Sequence, residues 1–342
     1  MVRSVPGTGH GNVFVVTESH SDKIAFVDLS IEVGSVQSET VVGASPWALA
    51  VDDNLKRAYV STAEGLAVVD LSTRERTALV PYLDQPSAIE YGEYRSGGSG
   101  LVATPDGAAV YVGVFREDKN SSVEMFDVAT GEFTDSFEVG LRPFDVQISP
   151  SGHEVYTIDH DSFTLHTISL PQHIVTRTEI APFGVEGGLM SHFKPHYAAV
   201  AEDGTLFMPY QGRALAIYSP TTGLYRTEPM EGDSHQHGVC LTSDGRLLVV
   251  GVGQVGGATR GPSLTIRTVE TGEEVIVPLD KGHENPVEWL DAPDGRRKAI
   301  LTGGSTSRGP WDGITIVDLE SHAIVEIEVP NRPQMGVLTS IA

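Results

Sequence analysis

Apolar and polar residues alternate in short runs along this chain, and one run recurs seven times. The copies are IAFVD ending at Asp28, LAVVD at Asp70, VEMFD at Asp127, LHTIS at Ser169, LAIYS at Ser219, LTIRT at Thr268 and ITIVD at Asp318. A two-residue period turns every second side chain toward a core, which predicts a strand and not a helix at each copy. Their separation runs from 42 residues (Asp28 to Asp70) to 57 (Asp70 to Asp127), the period of propeller blades or solenoid turns.

Each copy has the same surroundings. Upstream stands a turn such as Asp106-Gly107, Ser151-Gly152, Asp203-Gly204, Asp244-Gly245 or Asp294-Gly295, then a strand such as AVYVGV or EVYTI. Glycine supplies the positive φ that a tight hairpin requires. Before that turn lies a strand led by proline, as in SPWALAV, RPFDVQI and KPHYAAV; after the signature come turns such as Thr130-Gly131 and Thr271-Gly272 and a fourth strand. Four strands per unit make a propeller blade. The first unit lacks its inner strand, and RPQMGVLTSI at 332–341 has that strand's pattern, so the C-terminal strand is expected to complete blade 1 and leave no open edge. The expected fold is all-β, a closed seven-bladed β-propeller in a single domain over 1–342. Its blades are 12–42 with 332–341, then 45–82, 98–140, 142–181, 194–230, 235–279 and 284–330.

Strands of the VYVGV type, a hairpin, a V-x-V-x-D strand, a TGE turn and a proline-led inner strand together resemble the YVTN-type seven-bladed propellers over nearly the whole chain. The resemblance implies architecture and leaves function open, because the fold hosts enzymes, binding proteins and scaffolds.

Net charge is −23. Basic residues are scattered, the densest run being Arg296-Arg297-Lys298, which makes nucleic acid and anionic membranes poor partners. No apolar run approaches the ~20 residues that span a bilayer. MVRSVPGTGHGN has no secretory pattern, so the chain reads as cytoplasmic unless a signal was removed. Cys240 is the single cysteine, which excludes an internal disulfide and fits a buried apolar role. No GxSxG elbow, Walker loop, HExxH or dinucleotide fingerprint occurs, and SGGSG from Ser96 reads as a flexible turn.

Candidate chemistry centres on the 12 histidines. In a propeller, the loops that lead into inner strands and those joining second to third strands share one face around the central channel. His20, His160, His192, His196, His235, His237 and His283 map to that upper face, in blades 1, 4, 5, 6 and 7. Aligned on their turns, His196 and His237 occupy the inner-strand position of Phe144 and Trp47, at the channel mouth. Any one such histidine reads as structural, capping a loop carbonyl. As a set, His20, His196, His237 and His283 are the expected ligands of a divalent transition metal (Zn, Fe, Cu, Ni or Mn). Glu18, Asp22, Asp159, Asp161, Glu284 and Glu288 could complete or orient that set.

His237-Gly238-Val239 and His283-Glu284, with His196 one blade earlier, resemble the last three blades of propeller zinc metallochaperones of bacterial transport operons, which implies a metal. Three upper-face loops are longer than the fold needs: Pro81 to Gly98, Phe183 to Lys194 and Gly251 to Pro262. With Trp311, Tyr91, Phe144 and Trp47 they suggest an aromatic-walled pocket for a small organic substrate. The expected function is a metal-dependent enzyme of lyase, isomerase, cyclase or oxidoreductase type, with His235, His160 and Asp161 as acid–base groups. A metal-delivery protein and a non-catalytic interaction platform are the alternatives.

Overall fold

The computed structural model describes residues 2–4, 8–30, 34–117, 119–170, 172–180, 195–210, 213–232, 236–253 and 261–341, with backbone only for 2–4, 8, 236 and 237. Its described strands form seven antiparallel sheets, each built on four consecutive blade strands, and no α-helix occurs among the described residues. The third strands are the seven signatures. In blade 4, for example, Pro143–Ile148 pairs with Glu154–Asp159, that with Thr164–Ser169, and that with Ile174–Glu179. Valine, isoleucine, tyrosine and phenylalanine of the three inner strands fill the space between blades, and each fully buried aliphatic side chain contributes about 1.5–3 kcal/mol over an exposed one. Outer strands such as Glu75–Val80 and Ile174–Glu179 are largely polar and solvated.

The aspartate that ends the signature has a local cause. Asp28 Oδ1 accepts the Ser30 N–H at 2.8 Å, Asp70 Oδ1 those of Ser72 and Thr73, Asp127 Oδ1 that of Thr130, and Asp318 Oδ1 those of Glu320 and Ser321. These turn bonds favour the ionised form, so all four carboxyls titrate below the usual range.

The ring closes as the sequence suggests. Pro333–Thr339 is the inner strand of blade 1, with Val13 opposite Thr339, Phe14 opposite Leu338 and Val15 opposite Val337. The Ser96–Gly100 stretch, by contrast, is not a turn: Gly97–Ala103 is the inner strand of blade 3. Its glycines are there for close approach. A Cβ on Gly98 would lie 1.9 Å from the Tyr82 hydroxyl, and one on Gly100 would lie 2.7 Å from the backbone of Phe144 and Asp145 in blade 4.

Two further strands carry no alternation and escape sequence analysis. Val2–Ser4 pairs antiparallel with blade 2's inner strand, Val2 opposite Asp52 and Ser4 opposite Ala50. Thr8–Gly9 pairs in parallel with blade 7's inner strand, opposite Glu288 and Trp289. Both add to the channel-facing edge at the far end from the Trp47 mouth. These two pairings, on blades 2 and 7 either side of blade 1, lie at the lower end, leaving the upper mouth as the place to look for a site.

Candidate functional site

The upper mouth is built from the first residues of successive inner strands and one long loop. Ser45, Arg142 and Arg332, each directly before the proline that opens an inner strand, have φ of 49°, 56° and 59°. The recurrence in three blades makes this left-handed residue a device of the repeat and not strain peculiar to one site. It aims the side chain back over the upper face. Arg142 Nη1 then meets Asp161 Oδ2 at 3.1 Å, in the loop between its own blade's second and third strands. Arg332 makes the equivalent contact in blade 1, donating to His20 Nε2.

Past the prolines, Trp47, Phe144 and His196 converge. Phe144 stacks on His196 with ring centroids 4.7 Å apart and planes 14° apart, and Trp47 meets Phe144 edge-on at 6.0 Å. All three are buried. The His160 ring lies 4.2 Å from that of His196 and 5.1 Å from that of Phe144. His160 Nδ1 donates to Asp161 Oδ1 at 2.6 Å, so the Arg142–Asp161–His160 chain fixes the ring's orientation. A proton held on Nδ1 makes Nε2 the basic nitrogen of the neutral ring.

The loop at 81–96 roofs this cluster. It is pinned at both ends: the Tyr82 hydroxyl donates to Gly65 O at 2.9 Å, and buried Arg95 donates to the carbonyls of Ser45, Ser96 and Gly98. Between these anchors Tyr94 meets Phe144 edge-on at 6.4 Å, with the Arg142 guanidinium 4.4 Å from the Tyr94 ring centre. Glu93, beside it, keeps part of its surface in solvent. Its enclosure by protein, followed by the charge of Glu284, pushes its carboxyl up to about 8; Arg142 opposes the shift and Asp161 adds to it. Buried Tyr197 has its phenol raised first by burial and then by Glu284 and Glu93. Asp145, next to Phe144, is raised by burial to about 7 while accepting the Ala198 N–H at 2.9 Å and the Gln147 amide. The mouth therefore combines an oriented imidazole, an imidazole–aromatic stack and carboxyls that hold protons near neutrality, which suits proton transfer on an organic molecule.

The expected metal ligands fall in different places. His196 lies in the cluster. His20 is bonded by Arg332 and by the Ser19 hydroxyl, and burial, then Arg332, lowers its pKa. His283 Nε2 bonds Thr315 Oγ1 at 2.7 Å inside blade 7, where burial drives its pKa down to about 3. The side chain of His237 and all of His192 and His235 lie outside the described residues, as do 183–194 and most of 251–262. Among the described residues no three His, Cys, Asp or Glu side chains are grouped as metal ligands.

Of the other carboxylates, Asp159 binds His166 Nδ1 at 2.6 Å and Glu288 binds Arg297 at 2.7 Å, both within the blades, and Glu18 accepts from Asn331 and Ser21 of blade 1's upper loops. Trp311 packs over His283 and Lys281, and Tyr91 is exposed on the 81–96 loop. Sequence reasoning missed Glu93, Arg142, Asp145 and Tyr197; the length and tyrosines of the loop after Pro81, Tyr94 among them, are the signal that pointed near the first.

No family model and no curated protein matches the chain. Similarity to solved structures extends over the whole ring. A Kuenenia stuttgartiensis hydrazine synthase chain is 16% identical, with 95% of this chain and 94% of that one covered and a TM-score of 0.64. A Desulfotomaculum acetoxidans protein described as functionally unknown is 11% identical over 97% and 100%, TM-score 0.67. A Staphylococcus aureus virginiamycin B lyase is 12% identical over 83% and 84%, TM-score 0.59. No helix among the described residues is long and apolar enough to cross a membrane. At these identities the likeness establishes the fold alone: the chain is a seven-bladed β-propeller.

Proposed function

We propose that this protein is an enzyme that binds a small organic molecule at the upper mouth of the channel and transfers a proton on it. His160 acts as the acid–base group, Asp161 and Arg142 hold it, and Glu93 is the second proton carrier. The observation that carries the reading is the Arg142–Asp161–His160 chain ending against the His196–Phe144 stack under Glu93. Acid–base efficiency is greatest when a group's pKa lies near the working pH, and burial has moved Glu93 there. Two of the three structural neighbours above are named as a synthase and a lyase, which is compatible with catalysis on this fold.

A thermal-shift screen of small organic acids, amines, lactones and aromatic compounds tests the proposal, followed by mass spectrometry of any stabilising compound after incubation. The expected result is a stabilising class that is also turned over, with both effects reduced in His160→Gln and kept in the lower-face variant His10→Gln. Identical shifts in wild type and His160→Gln would refute it.

A metal centre is the second reading, favoured by the 4.2 Å approach of His160 and His196 with His237 one blade on in the same register. The ion would serve as Lewis acid for the same substrate. Elemental mass spectrometry of tag-free wild type and of the His196→Ala, His237→Ala double variant separates the readings: stoichiometric zinc, iron, copper, nickel or manganese lost in the variant supports the metal.

A further inference from the structure

The charge balance of the mouth narrows what it can bind. Glu93 and Tyr94 feel the negative charges of Glu284 and Asp161 and the positive charge of Arg142, while the other arginines of the mouth are committed, Arg95 to the carbonyls of Ser45, Ser96 and Gly98 and Arg332 to His20 and the Ser305 hydroxyl. The Arg142 guanidinium is committed too, paired with Asp161 and layered between the rings of Tyr94 at 4.4 Å and Phe115 at 4.7 Å. Around Tyr197 the resolved charges are Glu284, Glu93 and Asp145, all acidic. Glu93, raised by Glu284 and Asp161 with Arg142 as the opposing charge, is short of positive charge, and a cationic guest would supply it.

A second observation is independent of the carboxyls. Gln334, in blade 1's inner strand, is 1% exposed, and neither its amide oxygen nor its amide nitrogen has a hydrogen-bond partner among the described residues. The indole N–H of Trp47, 3% exposed, has none either. Gln334 borders the acidic group: a Cβ built on Gly304 would touch Glu284 Cγ at 2.0 Å and Gln334 Oε1 at 3.1 Å, so both side chains lie over the same glycine. A buried amide without partners costs about 1–3 kcal/mol unless a guest or water completes it. An ammonium N–H would find the amide oxygen beside a carboxylate. The walls suit the rest of such a guest, since Tyr94, Phe144 and Trp47 present aromatic surface and Arg142 shows that an organic cation is seated on one of these rings.

We propose that the ligand of the upper mouth is an organic cation, a protonated amine or quaternary ammonium on an apolar or aromatic body, held between Glu93 and the Glu284–Gln334 pair. This rests on the reading of the mouth as a small-molecule site and adds the charge class of its occupant.

Isothermal titration with probes that share one body and differ in charge provides the test: tyramine, 4-ethylphenol and 4-hydroxyphenylacetate, with choline and spermidine as further cations and zinc chloride as the metal control. At least one of the three cations should bind. If tyramine does, it should bind about tenfold or more tighter than 4-ethylphenol, with the anion weaker still. Glu93→Gln should weaken the cation about tenfold while leaving the neutral probe unchanged. Glu93 lies on a part-exposed loop, and its variant is checked by an unchanged thermal midpoint.

Equal or tighter binding of the anion, or no binding of any of the three cations, overturns the inference. So does binding of zinc alone, which would assign the carboxylates to a metal. Neutral or anionic binding that disappears in His160→Gln overturns the charge class and leaves the site standing. The library screen decides the site independently.

Discussion

Replacing Asp145 by asparagine should remove one specific component of the protein's pH dependence. The carboxyl is 1% exposed, directly after Phe144 in blade 4's inner strand, and it accepts from the Ala198 N–H and the Gln147 amide. Burial raises it from the ordinary 3.8 to about 7, against the smaller opposing pull of those hydrogen bonds. At about 1.36 kcal/mol per pH unit, ionising it in the fold costs up to roughly 4 kcal/mol more than in the unfolded chain; local relaxation and water entry make about 2–4 kcal/mol the expected range. The folded state binds the proton more tightly, so its stabilising effect is complete below the unfolded pKa. It is lost as pH rises toward about 7. Asparagine does not titrate, so its profile lacks this component whatever its fixed effect on packing.

Urea unfolding of both proteins at intervals from about pH 4 to pH 8.5, with unchanged m-values as the check on the unfolded state, gives the difference in stability at each pH. Wild type should lose about 2–4 kcal/mol relative to Asp145→Asn across that range, most of it before pH 7. A difference constant to within about 0.5 kcal/mol would refute the argument, because it would mean that the buried carboxyl titrates as it does in water.

Arg95→Ala should release the 81–96 loop. The carbonyls of Ser45, Ser96 and Gly98 lose a buried charged donor, at about 3 kcal/mol or more, and limited proteolysis should cut within the loop where wild type resists; equal resistance would show that Tyr82 alone holds it. Cys240 is fully buried, and burial pushes its thiol up to about 12. It should therefore react with a disulfide reagent only at the rate of unfolding, and fast labelling under native conditions would contradict its placement.

The fold was legible because its signals are local and repeated. A signature aspartate that closes its own turn and a strand that alternates are both written within a few residues, and seven copies compound the message. The contact of Phe144 with His196 was also within reach, since both occupy one inner-strand position in neighbouring blades. What sequence could not show depends on partners remote along the chain. His20 and His283 read as ligand candidates, and nothing near either histidine in the chain shows that Arg332 bonds the first through Nε2 and Thr315 the second through Nε2. Glu93 and Tyr94 reach the mouth because Arg95 grips the carbonyl of Ser45 in another blade, and a carbonyl has no sequence signature. Ser96–Gly100 looked flexible because its composition suits a turn, whereas the glycines make room for the neighbouring blade.

Blade 1 joins two stretches of chain that are synthesised far apart in time. Val13–Glu18 cannot meet its inner partner until translation reaches Thr339, which at about 5–20 residues per second is an interval of roughly 15–65 s. Throughout that time the growing protein is an arc, with an unpaired strand edge at one end and apolar blade faces uncovered at both. Thr8–Gly9 has to wait as well, because its partner at 288–289 is made late, whereas the partner of Val2–Ser4 at 50–52 is made early. Soluble yield in a cell should therefore follow elongation rate, growth temperature and holdase supply more closely than the stability of the finished ring.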